Sequence, residues 1–460
     1  VEGTKELIRR NALYLLKWTV FSLFTGLAVG IAGAYFRKGV DFATRVWNTE
    51  PRVILLLPLA GVLIVFWTKL LGEEKNQGTN RIIEAVSEGK HITTRTAPMM
   101  FVSTIVSHMC GASVGKEGAA LMIGGSLGEI FSGLFRFDDK DRRIAVMCGM
   151  STCFAAVFGT PLAATLFPME MISVGLLYYA ALVPCMFGAF FGAGVSALLG
   201  CGPEVFPVTA IPPMDMKAAA WTILFGVLCA LISILFSCIL SEGHHRIAAV
   251  IRDPFIRIVT GGAVFAGLVF LNRFYFTKGF DFCGGGFGLV EKAMEGESAW
   301  YAFLFKMLFT SLAIGAGFKG GEIVPTLAIG ACFGSLYAGI LGLDVPLYTA
   351  CGMAALFVGM TNCPIATLFL AFELFGYAGM PYYIMAIAVS FTLSGYYGLY
   401  TSQKFAYSKT RTEYINRKGP RRLWADAEAE AKAEAEKALE GDDAGEGPKK
   451  PPLNNRYGPI

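Results

Sequence analysis

Charge is what this chain has least of. Only 16% of its 460 residues are charged, against about a quarter in soluble domains. That shortage excludes an ordinary soluble enzyme or a nucleic-acid binder, and the net charge of +4 is too small for the latter in any case. Histidine is scarce too: the four histidines form no ligand set, and His244-His245 reads as a solvated pair in a short polar loop beside Glu242. Cysteine is present, eleven times, but scattered singly through apolar segments (Cys148, Cys229, Cys238, Cys351) with no CxxC spacing. Such cysteines read as small buried apolar residues, not as a metal site or a disulfide framework. No nucleophile–base set is visible, so no enzyme, metal or cofactor is expected.

What fills the space is apolar: 54% of residues are hydrophobic. Long spans fit Trp18–Phe36, Val53–Leu71, Leu177–Leu199, Ala218–Leu240, Ile256–Leu271, Tyr301–Leu312 and Tyr382–Tyr400. This is the pattern of an all-α polytopic membrane protein. Between the spans lie shorter, glycine-interrupted pieces: Met99–Ser113, Ala119–Phe135, Ile144–Phe158, Ile323–Leu341, Tyr348–Gly359 and Ile365–Leu374. These read as too short or too broken to cross a bilayer independently. Broken helices at membrane depth are tolerated only where protein buries them or they line a wet cavity, as in transporter and channel cores. Lysine and arginine cluster before the first span (Lys5, Arg9, Arg10, Lys17) and after the last (Lys404, Lys409, Arg411, Arg417, Lys418, Arg421, Arg422). By the positive-inside rule both termini are expected in the cytoplasm, with an even number of crossings of the plasma (inner) membrane. The N-terminal apolar stretch is too long, and lacks the small-residue site, for a cleaved signal.

The chain also repeats itself. Gly115-Lys116-Glu117-Gly118-Ala119 leads into Ile123-Gly124 and Gly128; Gly321-Glu322-Ile323-Val324-Pro325 leads, at the same spacing, into Ile329-Gly330 and Gly334. In the same register Thr104 matches Thr310 and Gly111 matches Gly317. Three residues out of that register, Cys148-Gly149-Met150 matches Cys351-Gly352-Met353, Pro161 matches Pro364 and Glu170 matches Glu373. The expected organisation is a cytoplasmic segment 1–12, a first membrane repeat 13–200, a linker 201–216, a second repeat 217–410 and a charged tail 411–460. The tail is expected to be helical over Ala425–Leu439 and disordered beyond. Parallel and inverted copies are both compatible with these matches.

Each repeat carries one acid among glycines in an apolar surrounding. A carboxylate at membrane depth costs several kcal/mol, roughly, and usually faces a pathway. Glu117 precedes the apolar run that starts at Ala119, so it lies near a helix N-terminus. That end carries unpaired N–H donors and about half a positive charge, which makes it an anion site. A carboxylate there occupies the site when ionised and vacates it when protonated, so one residue can couple an anion to a proton. Glu322 sits at a similar helix start, but the register sets it opposite Lys116, while Glu117 aligns with Ile323. The two acids need not do the same job. A third glycine turn, Gly78-Thr79-Asn80-Arg81-Ile82, offers a hydroxyl and an amide, and Tyr407, just past the last span, offers a phenol. All are neutral donors suited to a dehydrated anion.

Together these features resemble the CLC chloride channel/transporter family, whose anion-binding segments are usually written GSGIP, GREGP and GxFxP, followed by a tyrosine near the end of the membrane domain. They correspond here to Gly78–Ile82, Gly115–Ala119, Gly321–Pro325 and Tyr407, and the resemblance covers nearly all of residues 10–412. It implies an inverted repeat of tilted and broken helices, a homodimer in the lipid bilayer with one anion pathway per subunit, and Glu117 as the gating glutamate. Anion-binding roles then fall to Gly78, Thr79, Asn80, Gly115, Lys116, Gly118, Ile323, Val324 and Tyr407.

Departures from the family pattern narrow the reading. Thr79 and Asn80 replace the serine and second glycine of the first segment, and Lys116 and Ala119 replace the arginine and proline of the second. After Pro161-Leu162-Ala163, Glu170 matches the first acid of a typical Glu-Glu pair, while Met171 stands where the inner proton glutamate would be. A fluoride-exporting branch, CLC-F, lacks that glutamate and carries one in the third segment instead. Gly321-Glu322-Ile323-Val324-Pro325 resembles that version. The resemblance therefore implies fluoride/proton antiport, with Glu322 in an inner proton or anion-release role. A chloride channel or chloride/proton antiporter of the same fold is the alternative.

Overall fold

The structure, a computed structural model, describes residues 2–74, 78–209, 211–276 and 280–419. The helix expected at Ala425–Leu439 and the segment after it lie outside these residues. Among the described residues sixteen α-helices form two series of eight. The first is α1 (Glu2–Thr49), α2 (Leu57–Leu70), α3 (Thr79–Glu88), α4 (Thr96–Met109), α5 (Glu117–Leu134), α6 (Asp139–Phe158), α7 (Pro161–Met171) and α8 (Leu182–Leu198). The second is α9 (Met216–Val250), α10 (Pro254–Tyr275), α11 (Phe287–Met294), α12 (Ala302–Ala316), α13 (Ile323–Leu341), α14 (Val345–Thr361), α15 (Pro364–Phe375) and α16 (Met380–Leu393). A small sheet, β1 (Ser173–Val174), β2 (Lys404–Tyr407) and β3 (Tyr414–Lys418), is ordered β1-β2-β3, parallel then antiparallel. The segment around 414–418, expected as helical or disordered tail, is thus a strand at its start.

The series match helix for helix. α5 packs on α6 as α13 packs on α14, and α1 on α8 as α9 on α16. Asp138 caps α6 by accepting from the Asp141 N–H, and Asp344 caps α14 by accepting from the Leu347 N–H, both at 2.8 Å. The relation between the copies is inverted, because equivalent residues meet reciprocally. Gly115 and Gly321 exchange both backbone hydrogen bonds at 2.6 Å as an antiparallel bridge. An antiparallel exchange has a local twofold axis between its strands. Glu170, near the end of α7, accepts from the N–H groups of Ile365 and Ala366 at the start of α15 (3.1 and 2.8 Å). Glu373, near the end of α15, returns the contact to Leu162 and Ala163 at the start of α7 (2.8 and 2.9 Å). Each acid satisfies orphan donors of the other copy's helix.

Among the described residues six helices are long and apolar enough to cross a membrane: those at Thr4–Thr49, Pro51–Leu70, Tyr179–Leu198, Met216–Val250, Pro254–Tyr275 and Ile323–Leu341. Leu55, Leu59, Leu63, Phe66 and Leu70 remain exposed along one face of α2 and the turn before it, an apolar stripe fit for lipid. The protein is an integral membrane protein. Two expectations need correction. Three of the six glycine-interrupted pieces are continuous helices, of 18, 20 and 19 residues in α5, α6 and α13, while α4, α14 and α15 are short as expected, at 14, 17 and 12 residues. Their glycines are helix–helix contacts: Gly124 lies backbone to backbone against Gly149, and Gly330 against Gly352. Small residues let helices approach this closely, and the hydrogen-bond ladder survives. His244-His245 is not in a loop, because α9 runs on to Val250 as one 35-residue helix.

Candidate functional site

The reciprocal bridge at Gly115 and Gly321 sets the geometry of the centre. It brings the N-terminus of α5 against that of α13, and α3 starts beside them. A Cβ on Gly118 would come within 2.9 Å of the Gly321 Cα, 3.7 Å of the Thr79 hydroxyl oxygen and 3.9 Å of the Glu322 backbone nitrogen. Only glycine allows the three chain segments to meet so closely. Gly78 precedes α3 with φ +66°, a left-handed conformation that favours glycine. Three helix N-termini thus converge, each bringing backbone N–H groups without helical partners. Thr79 and Asn80 begin α3 and are not a free turn. The Asn80 side-chain oxygen accepts from the Ser402 N–H at 3.1 Å, which leaves its amide nitrogen to donate. Ile323 and Val324 are the buried first residues of α13.

Glu117 is fully buried at the first position of α5. Its side chain folds back on its own helix start, where Oε2 accepts from the Lys116 backbone N–H at 3.1 Å. Its other oxygen, Oε1, has no hydrogen-bond partner among the described residues. A carboxylate held by backbone donors at a helix N-terminus stands where a bound anion would stand.

Glu322 occupies the position before α13 that Lys116 occupies before α5. The backbones agree closely: φ −103°, ψ −10° at Glu322 and φ −102°, ψ −21° at Lys116. The Lys116 side chain does not enter the centre. Its Nζ reaches Glu204 Oε1 at 2.6 Å and Asp41 Oδ1 at 3.8 Å. Lys116 and Glu204 line a cavity of about 720 Å³ with Val40, Asp41, Thr44 and Trp47, at the end of the molecule where α1 stops. Two carboxylates thus claim the Lys116 ammonium. What Lys116 gives to the centre is its backbone N–H. The inverted relation exchanges the two ends of the molecule. Position 116 faces the cavity end, so position 322 faces the opposite end, where the sheet lies.

A tyrosine stands at that end, but not the expected one. Tyr407 lies on β2, 45% exposed, with its ring against Tyr414 and its backbone beside Gly175. It is outside the centre: Phe405 and Ala406 are buried, and past the register shift between Phe405 and Tyr407 the Tyr407 side chain is at the surface. Tyr400, four residues before β2, is buried, its hydroxyl has no partner, and it lies within electrostatic reach of Glu322. The following Ser402 holds Asn80. Only the tertiary path of 394–403 separates Tyr400 from Tyr407; no local pattern in the sequence does.

Comparison with known proteins fits this arrangement. Residues 60–395 match the family model described as voltage gated chloride channel. A "Chloride/fluoride channel protein" of Pseudomonas syringae pv. tomato is 34% identical over 403 residues, covering 86% of this chain and 88% of that protein. An "H(+)/Cl(-) exchange transporter ClcA" of Vibrio vulnificus is 25% identical over 376 residues, covering 76% and 80%. Among solved structures, a CLC-type fluoride/proton antiporter superposes with a TM-score of 0.81 at 26% identity, covering 85% of this chain and 98% of that one.

Proposed function

The chain belongs to the voltage-gated chloride channel (CLC) family, and we propose that within it the protein exports fluoride in exchange for protons. The observation that carries this reading is the buried Glu117 carboxylate, held on the Lys116 N–H among three helix N-termini with one oxygen unpartnered. In the ionised state the carboxylate competes with fluoride for the same N–H donors. Once protonated from the outer side it loses its charge, yields the site and carries the proton inward. Fluoride is small and strongly hydrated, so its site must supply close donors. Backbone N–H groups at the starts of α5 and α13, the Thr79 hydroxyl, the Asn80 amide and the Tyr400 phenol supply them. Glu322, on the opposite face of the bridge, handles protons or assists anion release at the inner side. A proton gradient directed inward then drives fluoride out. In this reading the protein is a homodimer in the plasma membrane with both termini cytoplasmic, one pathway per subunit, and the cavity at the end of α1 is the outer vestibule.

Simultaneous fluoride-electrode and pH-electrode recording from proteoliposomes tests the proposal. Expected is fluoride efflux accompanied by proton uptake, with fluoride flux well above chloride flux. Fluoride flux without proton movement overturns antiport. A second reading, an uncoupled anion channel, is favoured by Met171 at the position of the family's inner proton glutamate. Chloride flux equal to or above fluoride flux, with no proton movement, would establish it.

A further inference from the structure

We propose that Glu204 is the outer proton-transfer residue serving Glu117; the proposal rests on the antiport reading above. Glu204 lies in the segment joining the two series of helices, outside all three anion-binding segments. Two carboxylates among the described residues have a buried oxygen with no hydrogen-bond partner, Glu117 through Oε1 and Glu204 through Oε2. Lys116 holds the remaining oxygen of both. Its backbone N–H donates to Glu117 Oε2 at 3.1 Å and its Nζ to Glu204 Oε1 at 2.6 Å. One residue thus fixes two acids, each with one oxygen unengaged, within electrostatic reach of one another.

The cavity separates their roles. Glu204 lines it, as do Gly115 and Lys116, whereas Glu117 does not. A proton arriving from the vestibule therefore meets Glu204 before it meets Glu117. The groups facing Glu204 are Lys116 from α5 and Arg37 and Asp41 from α1. Arg37 stands 3.6 Å from Glu204 Oε1 and 3.8 Å from Asp41. The four form a compact set of two cations and two anions, so a proton passing through Glu204 leaves no lasting net charge. Further along the wall stand His108 on α4, Glu291 on α11, and Asp281 paired with Lys292 at 2.7 Å. In the proposed step, a hydronium ion in the cavity gives a proton to Glu204 and leaves as water, and the neutral acid carries that proton on Oε2, the oxygen not held by Lys116. The outward-swung Glu117 then takes that proton on Oε1, and Glu204 returns to the carboxylate that pairs with Lys116. One proton moves from vestibule to gate; no bond but O–H is made or broken.

The test uses the full-length protein in vesicles of a single orientation, with pH varied separately on each side. Wild type must first show coupled fluoride and proton movement; if it does not, the antiport reading itself has failed. Given coupling, Glu204→Gln is expected to slow exchange by roughly a hundredfold, the low end of what a proton-transfer group contributes. It should also flatten the dependence on outer pH while leaving the dependence on inner pH. Lys116→Met breaks the same ion pair but keeps the acid, so its outer-pH dependence should persist, with a displaced midpoint. Glu204→Asp, which keeps a carboxyl group, should recover outer-pH dependence and covers the case in which the glutamine variant folds poorly. The proposal is overturned if Glu204→Gln keeps the wild-type rate and outer-pH profile. It is equally overturned if Lys116→Met flattens that profile to the same degree, which would make Glu204 only a structural partner.

Discussion

The starts of α5 and α13 share one backbone and differ by the placement of one carboxylate. Both are preceded by a residue with nearly the same φ and ψ, and the two glycines before those residues bridge reciprocally. In α5 the preceding residue is Lys116 and the acid follows, inside the first turn. In α13 the acid, Glu322, is itself the preceding residue and Ile323 follows. A shift of one residue at a helix start turns a side chain by about 100°. Glu117 is thereby sent back onto its own N–H groups, and Glu322 outward to the face opposite the cavity. A symmetric frame thus carries an asymmetric pair of acids, and the proposed exchange gives them different jobs: Glu117 competes with the anion, and Glu322 handles protons from the other side.

The largest expected effect separates the two acids. Glu117→Gln should abolish proton movement, because the gate can no longer charge and discharge. Glu322→Gln should retain coupling but slow turnover by about a hundredfold, in the range of a lost proton-transfer group. Paired fluoride and pH recordings read both. Equal behaviour of the two variants would break the comparison, and full coupling in Glu117→Gln would remove its assigned role.

A second contrast concerns the tyrosines. Tyr400→Phe removes a buried hydroxyl within electrostatic reach of Glu322, while Tyr407→Phe removes an exposed one on β2. The first should weaken fluoride binding by about tenfold, the worth of one hydrogen bond at roughly 1.5 kcal/mol. The second should change nothing measurable by isothermal titration. A stronger effect at Tyr407 would return the site to the residue that sequence order alone suggested.

Those contrasts show where sequence reasoning reached and where it stopped. The repeat was legible because Gly115 and Gly321, Glu170 and Glu373, and Pro161 and Pro364 recur in register. The helix starts were legible because glycines beside an acid, just before an apolar run, supply free backbone donors and a charge that suits the N-terminal dipole. Helix continuity was not, since glycines that break a lone helix are the contact surface of a packed pair, as Gly124 and Gly149 are. The partner of Lys116 was not, because Glu204 is remote in the chain and enters from the linker. Tyr400 was not, because it and Tyr407 look alike in any local window.

Smaller effects belong to the reciprocal caps. Glu170→Gln and Glu373→Gln each weaken two charge-assisted hydrogen bonds to the other copy's helix start. Each should cost about 1–2 kcal/mol of stability, read as a lowered melting temperature in detergent. Glu170, the more buried, should cost more. The two caps share no hydrogen-bond partner, so the double variant should be close to additive. A large coupling would mean that the two series move as one when either cap is lost.

The smallest effect tests whether an acid far from the centre matters to transport at all. Glu88 ends α3 outside the membrane, and accepts from Lys418 of β3 at 2.7 Å and from Lys90 at 3.0 Å. Its hydrogen bonds with Lys418 and then Lys90 outweigh its slight desolvation and hold its carboxyl down at about 2. A carboxyl depressed in the folded state contributes stability that is complete above its unfolded value near 4.5 and is lost as pH falls toward about 2. The amides of Tyr414–Lys418 should therefore keep constant hydrogen-exchange protection factors from neutral pH to about 4.5 and lose protection below it. Glu88→Gln should show reduced protection at neutral pH and a weaker acid dependence, with fluoride and proton fluxes unchanged at neutral pH. If that variant altered coupling, the contrast between acids that carry the proton and acids that only hold the sheet would fail, and the sheet would have to be counted as part of the inner gate.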